Sequence, residues 1–181
     1  MSTAGPNNPT VASGALWTNP TGVKGASTFA TFVESFGNSD NTGTLIGTSL
    51  GFSIPAGTIN GITCVLARKY SKTGVGTPAL NTFNAQLLKG GVATGTPKGT
   101  GANWTTSNTD ETWGSSSDLW GATLSASDVN GSGFGFQINA VVDASGMSSG
   151  SATASVQNFR ITVTYTTSTG AVTTQSILIG F

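Results

Sequence analysis

Four short stretches of this chain contain residue types that can do chemistry. Gly47-Thr48-Ser49-Leu50-Gly51 spells the G-x-S-x-G of a nucleophile elbow. That device needs a strand turning sharply into a helix, and a histidine to take the serine proton. The chain has no histidine, and alternating apolar residues run through 45–54, so the letters read as a glycine-bearing strand. Asp110, Glu111 and Asp118 flank Trp113, the ingredients of a carboxylate pair beside a sugar-stacking ring. The plainer account is a solvated acidic loop next to a packing tryptophan. Asp128, Asn130 and Ser132 have the alternate spacing of calcium ligands, but Asn139 stands at the twelfth position, where a bidentate carboxylate belongs. An Asn130-Gly131 turn explains these residues better. Cys64, the lone cysteine, sits in the apolar run ITCVLA and reads as a small core hydrophobe. The expectation is a protein with no catalytic residues, no metal and no cofactor.

Contact residues are a better prospect than catalytic ones. Four tryptophans (Trp17, Trp104, Trp113, Trp120) could line a carbohydrate platform, although two or three of them belong in a core by default. The chain ends in an apolar cluster, Ile177, Leu178, Ile179 and Phe181, which is costly to leave in water and so should pack on its own domain or on another subunit. The favoured interaction residues are Trp17, Trp104, Trp113 and this C-terminal cluster.

The elements that must hold these residues are strands. Residues 1–24 carry Pro6, Pro9 and Pro20 among Asn, Thr and Gly, and read as an extended N-terminal arm. Ile46, Leu50, Phe52 and Ile54 share one parity and suggest a strand over 45–54. Residues 59–68 have two apolar faces, as a central strand would. Phe83, Ala85 and Leu87 mark a strand over 82–89, and 119–124 reads as another short one. Ser125 or Ser127 caps a single helical turn over 125–129. Phe134, Phe136 and Ile138 alternate, and so do Phe159, Ile161, Val163 and Tyr165 in the longest strand, 152–167. The Gly/Thr/Ser tract 90–117 is too long for a structureless connection, so it should hold a strand near 102–106 or be a functional loop. Seven or eight strands without a credible longer helix predict an all-β, antiparallel β-sandwich of jelly-roll or Greek-key type. The domain spans 25–168, with the arm at 1–24 and a C-terminal attachment segment at 169–181.

Charge narrows the partners. Seven Lys/Arg balance seven Asp/Glu in 181 residues, and the basic ones are scattered. Phosphate neutralisation needs a clustered basic face, so nucleic acid is not expected. Zero net charge leaves little self-repulsion to oppose association with other copies. No run approaches 18 apolar residues, so no membrane span is expected, and the N-terminus lacks a signal-like apolar region. The expected product is soluble, made in a cytoplasm.

Three segments in order, IPAGTINGITCVLAR (54–68), DLWGATLSASDVNGSGFGFQI (118–138) and VQNFRITVTY (156–165), carry a likeness. With them the chain resembles virion structural proteins of tailed bacteriophages. The resemblance covers about two-thirds of the chain and implies a non-enzymatic β-sandwich of a virion, with no catalytic residues to carry over. It does not separate head from tail. With no repetitive shaft in this chain, a capsid decoration (cement) protein is the first expectation, bound to its own copies, trimers among the options, and to the major capsid protein. The alternative is a tail- or fibre-associated adhesin that contacts host-surface glycans through exposed tryptophans.

Overall fold

The computed structural model describes residues 1–25, 27–99 and 101–168. Along the chain the elements are β1 (Ser2–Asn7), β2 (Val11–Ser13), a 3-10 turn (Pro20–Lys24), β3 (Ala30–Ser35), β4 (Ser39–Asn41), β5 (Leu45–Thr48), β6 (Gly57–Thr73), β7 (Ala79–Lys89), β8 (Val92–Lys98), β9 (Thr109–Gly114), α1 (Ala126–Asn130), β10 (Gly135–Asp143) and β11 (Ser151–Thr167). One sheet, A, runs β1-β11-β6-β9, with β3 following β1 along the same edge of β11. The other, B, runs β2-β5-β10-β7-β8, with β4 beside β10 beyond the end of β5. Every strand pair is antiparallel. The expected antiparallel β-sandwich is what forms, with one short helix at its rim.

Two bulges keep apolar residues facing inward. A strand shows alternate residues to one side, so any inserted residue flips the rest. In β11, Ala152, Ala154 and Val156 are buried, and so are Phe159, Ile161 and Val163. The change of parity falls at Asn158, which has φ 64° and belongs to the register break between Gln157 and Arg160. In β7, Leu80 and Thr82 point inward, as do Ala85 and Leu87. Phe83 and Asn84 lie between them, at a register break opposite Asn139 and Ala140. The expected inward face of Phe83, Ala85 and Leu87 is therefore corrected: Phe83 is on the outside.

The N-terminal segment is part of the sandwich, which overturns its reading as an arm. Ser2 pairs with Tyr165 and Ala4 with Val163 on β11. Asn8 then donates from Nδ2 to Asn158 Oδ1 (2.6 Å) and to the Phe159 carbonyl (2.8 Å), holding the bulge that turns Phe159 inward. Asn7 Nδ2 donates to the Leu50 carbonyl at 2.9 Å, and β2 continues onto β5. Residues 1–13 thus cross from sheet A to sheet B. Pro6 is tolerated because an edge strand needs no donor on its free side.

Three further expectations change. Strand β5 stops at Thr48, because Ser49 (φ 59°) and Gly51 (φ 66°) adopt left-handed backbone. Leu50, Phe52 and Ile54 still bury their side chains from an irregular segment, while Ile46 turns outward and Leu45 inward. Residues 119–124 form a turn around Trp120 (φ 59°) in place of a strand. The 90–117 tract contributes β8 and β9, with only an isolated bridge from Asn103 to Asn81 near the strand expected there. The helical turn α1 is where it was expected, capped by Ser125.

The core centres on Phe136 of β10. Its ring lies 5.2 Å from Phe159 of β11, 5.6 Å from Trp113 of β9 and 6.0 Å from Trp120. Trp120 Nε1 donates to the Ile62 carbonyl at 3.0 Å. Gly114 sits against both groups: a Cβ there would lie 2.1 Å from the Ile62 oxygen and 2.6 Å from Trp120 Nε1. Phe136→Ala should lower unfolding stability by about 3–5 kcal/mol, read as the urea midpoint. Removing residues 1–13 should also lower that midpoint and broaden the transition, because Asn8 no longer holds the β11 bulge. A truncated chain as stable as the full one would mean that this segment is an appendage after all.

Candidate functional site

The carboxylates that suggested catalysis are separated by the fold. Asp110 pairs with Arg160 (2.6 Å) and Asp118 with Lys98 (2.9 Å). Glu111 is buried between the sheets, where Arg68 Nε donates to its Oε2 and the Thr82 hydroxyl donates to the same oxygen at 3.0 Å. Trp104 Nε1 donates to Thr82 Oγ1 at 3.2 Å, and the Arg68 guanidinium lies 5.5 Å over the Trp104 ring. A buried ion pair with its hydrogen bonds supplied is an inter-sheet tie. The acidic-loop account holds for Asp118 alone: Asp110 and Glu111 both belong to β9, Asp110 exposed and Glu111 facing inward.

The remaining motifs also have structural jobs. Gly47 is where Pro9 and Phe159 pack onto the strand: a Cβ there would lie 2.7 Å from Pro9 Cγ and 3.0 Å from Phe159 Cδ2. The Ser49 hydroxyl donates to the Ser132 carbonyl at 3.1 Å. In the calcium-like stretch, Asp128 accepts from the Ser125 hydroxyl (2.7 Å) and the Ser125 backbone N–H (2.9 Å) in a capping box. Asn130 brackets Ile54, accepting its N–H at 2.7 Å and donating to its carbonyl at 2.9 Å. Among the described residues no cluster of three or more His, Cys, Asp or Glu could hold a metal. Cys64 is fully enclosed, and burial pushes its thiol well above the usual range.

The tryptophans are placed differently from the expected contact surface. Trp17, Trp104 and Trp113 are 4, 3 and 4 % exposed, and Trp120 is buried as well. None can stack on a glycan, because the gain from burying a large ring between two sheets is already taken inside the core. Trp17, in the loop that follows β2, buries its ring 6.3 Å from that of Phe32. The C-terminal candidates Ile177, Leu178, Ile179 and Phe181 lie outside the described residues.

Two surface features remain. The first is an open cavity of about 680 Å³ at the β2–β5 edge of sheet B, lined by Ala12, Ser13, Gly14, Ala15, Leu16, Pro20, Gly43, Thr44 and Ile46. The second adjoins it through Ile46 and is the outer face of sheet B. Register places Ile46, Gln137 and Gln86 side by side in one row, Asn139 beside Asn84 in the next, and Asn41, Val141 and Asn81 in a third. Phe83, 42 % exposed, stands beside Asn84 at the bulge. Of the outer residues of β7 and β10 only Phe83 and Asn139 enter into the expectations drawn from sequence, neither of them as a contact residue. The signal for this face was the polar half of each alternation, where carboxamides stand in place of the usual Thr or Lys.

No protein-family model and no curated protein matches the chain. Solved structures do align with it. One, described as "CBM4 structure and function", is 18 % identical, covers 74 % of this chain and 82 % of its own, and superposes with a TM-score of 0.39. Another, TmCBM61 in complex with β-1,4-galactotriose, is 12 % identical and covers 88 % and 86 %, with a TM-score of 0.36. A likeness at this level carries no argument about this chain.

Two expected outcomes test the structural roles of the acidic residues. Glu111→Ala should cost about 3–5 kcal/mol by stranding the buried Arg68 charge, whereas Arg68→Met with Glu111→Leu should come close to the original stability. Equal losses from both variants would contradict the ion-pair account. Hydrogen bonding with Lys98 holds the Asp118 carboxyl below the usual carboxylate range, and hydrogen bonding from Ser125 does so for Asp128. Carboxyls depressed in the folded state add stability that is present above the unfolded value and lost as pH falls through the folded one. Stability should therefore fall below about pH 4, and Asp118→Asn with Asp128→Asn should flatten that fall in acid titrations of the urea midpoint.

Proposed function

We propose that this chain is a non-enzymatic structural module of a tailed-phage particle, placed on the head as a decoration protein. One observation carries the reading: the segments with the virion-protein resemblance are those that interlock to close the sandwich. Asn130 of the second segment brackets Ile54 of the first. Trp120 of the second donates to Ile62 of the first, and the Ile62 N–H donates back to the Asp118 carbonyl at 2.9 Å. Phe136 of the second meets Phe159 of the third. What resembles the phage proteins is thus a load of packing and backbone contacts, with no reactive group among them.

A sandwich of this kind works through its surface. Zero net charge leaves its copies free to associate, and free sheet edges at β8 and β9 can add strands. In this reading the apolar segment with Ile177, Leu178, Ile179 and Phe181 grips a neighbouring capsid subunit or another copy of the chain. The N-terminal segment is excluded from that role because it is built into both sheets.

Immunogold microscopy and mass spectrometry of purified particles test the assignment. The chain should co-purify with virions at many copies per particle and label the head. Its absence from particles would sink the reading, and label confined to the tail would replace the head position. Deleting residues 169–181 should abolish incorporation while leaving the urea midpoint of the sandwich unchanged.

A further inference from the structure

We propose that the outer face of sheet B, centred on Gln137, binds a neutral saccharide. The inference is independent of the virion assignment, since it rests on the chemistry of one sheet face. Six carboxamides occupy that face in register: Gln137 lies opposite Gln86, Asn139 opposite Asn84, and one row further on Asn41 and Asn81 stand on either side of Val141. Strands about 4.8 Å apart and same-face residues about 7 Å apart turn these side chains into a two-dimensional lattice. A carboxamide carries an acceptor oxygen and two N–H donors. A sugar hydroxyl is donor and acceptor at once, so neighbouring amides can grip adjacent hydroxyls without any charge.

The composition of this face is unusual for the fold. Asn is a poor strand former, yet the middle of the sheet uses it repeatedly. The corresponding outer face of β11 presents Thr153, Gln157, Arg160 and Thr162, with a single carboxamide among them. Some of the amides do serve the fold: Asn139 Nδ2 donates to Thr44 Oγ1 at 3.2 Å, and Gln86 Nε2 to the Gly95 carbonyl at 2.9 Å. Asn84 Oδ1 has no hydrogen-bond partner among the described residues although it is enclosed. Enclosed in this way, that oxygen is out of a ligand's reach and adds nothing to recognition on this face.

Phe83 supplies the apolar half of the recognition. The β7 bulge places two consecutive residues, Phe83 and Asn84, between the inward-facing Thr82 and Ala85. An exposed phenyl ring thereby stands next to the amide lattice. The π face of the ring is electron-rich and attracts the polarised C–H groups on the flat side of a pyranose. The adjoining cavity beyond Ile46 has the size of a small-ligand site and lets a chain of more than one sugar extend from the amide rows.

Other partners fit less well. Among the residues of the three rows there is no cation to pair with phosphate or with an acidic glycan. A protein interface depends on clustered aromatic or aliphatic anchors, and here the exposed apolar side chains are few and set apart by amides.

The test is affinity electrophoresis of the full chain in gels containing neutral polysaccharides (β-glucan, galactan, mannan, xylan), with polygalacturonate and heparin as acidic comparators. At least one neutral polymer should retard the protein, and the acidic ones should not. Its oligosaccharides should then shift the side-chain amide resonances of Gln137 and Asn139 in an NMR titration. Phe83→Ala and Gln137→Ala, both on the outer face, should keep the original urea midpoint and weaken binding at least tenfold. Retardation by no neutral polymer, retardation only by the acidic ones, or full affinity in both folded variants would overturn the proposal. Loss of saccharide binding with normal particle incorporation would leave the virion reading standing, and the reverse result would separate them the other way.

Discussion

The packing of Phe136 between two sheets is the interaction on which the rest of this molecule depends. A sheet with one apolar face has to cover it, and here each sheet covers the other through a ring cluster in which Phe136 from β10 meets Phe159 and Trp113 from the opposite sheet. Aromatic rings bury more area than any other side chains and prefer tilted contacts, which matches interplanar angles of 47° to 77° around Phe136. Trp120 completes the cluster and ties it to the Ile62 backbone. Removing the centre would leave a cavity with aromatic walls on both sides.

That requirement explains features that look accidental from the sequence. Phe159 reaches the cluster only because Asn158 adds a residue to β11 and changes its parity. The bulge in turn leans on Asn8, so a residue near the N-terminus secures one 150 positions away. Gly47 and Gly114 are small because Phe159 and Trp120 press on them. The same logic absorbs the serine of the apparent nucleophile elbow and the asparagine of the apparent calcium loop, each of which completes a backbone contact at the rim of the sandwich.

Core formation therefore takes up most of the residues that a search for chemistry would select. Tryptophans, thiol and one carboxylate are enclosed, and the other paired carboxylates sit in surface ion pairs. What the fold leaves to the solvent is largely uncharged: amides, hydroxyls and a few isolated apolar groups. A molecule of this kind can act through shape and hydrogen bonding, and its outer faces are where differences in role are written. The β7 bulge is the clearest case, since the device that corrects the core parity also puts Phe83 outside.

Alternation and turn residues by themselves determined the architecture. Apolar parity in 134–138 and 159–165, with glycine-rich turns between, can be satisfied only by strands that share a buried face, and a serine cap at 125 or 127 marked the helical turn over 125–129. The missing histidine and balanced charge likewise bounded the chemistry without any coordinates. Tertiary structure decided what local pattern cannot hold. Residues 1–13 read as irregular because their ladder partners, β11 and β5, lie far along the chain, and edge strands carry little alternation of their own. The fate of Trp17, Trp104 and Trp113 depended on which sheet face lay opposite, and hydrophobicity favours burial or display of a tryptophan only through that neighbour. The carboxamide face was present as letters, but its meaning came from register, which sets Gln137 beside Gln86 and Asn139 beside Asn84 across strands some fifty residues apart.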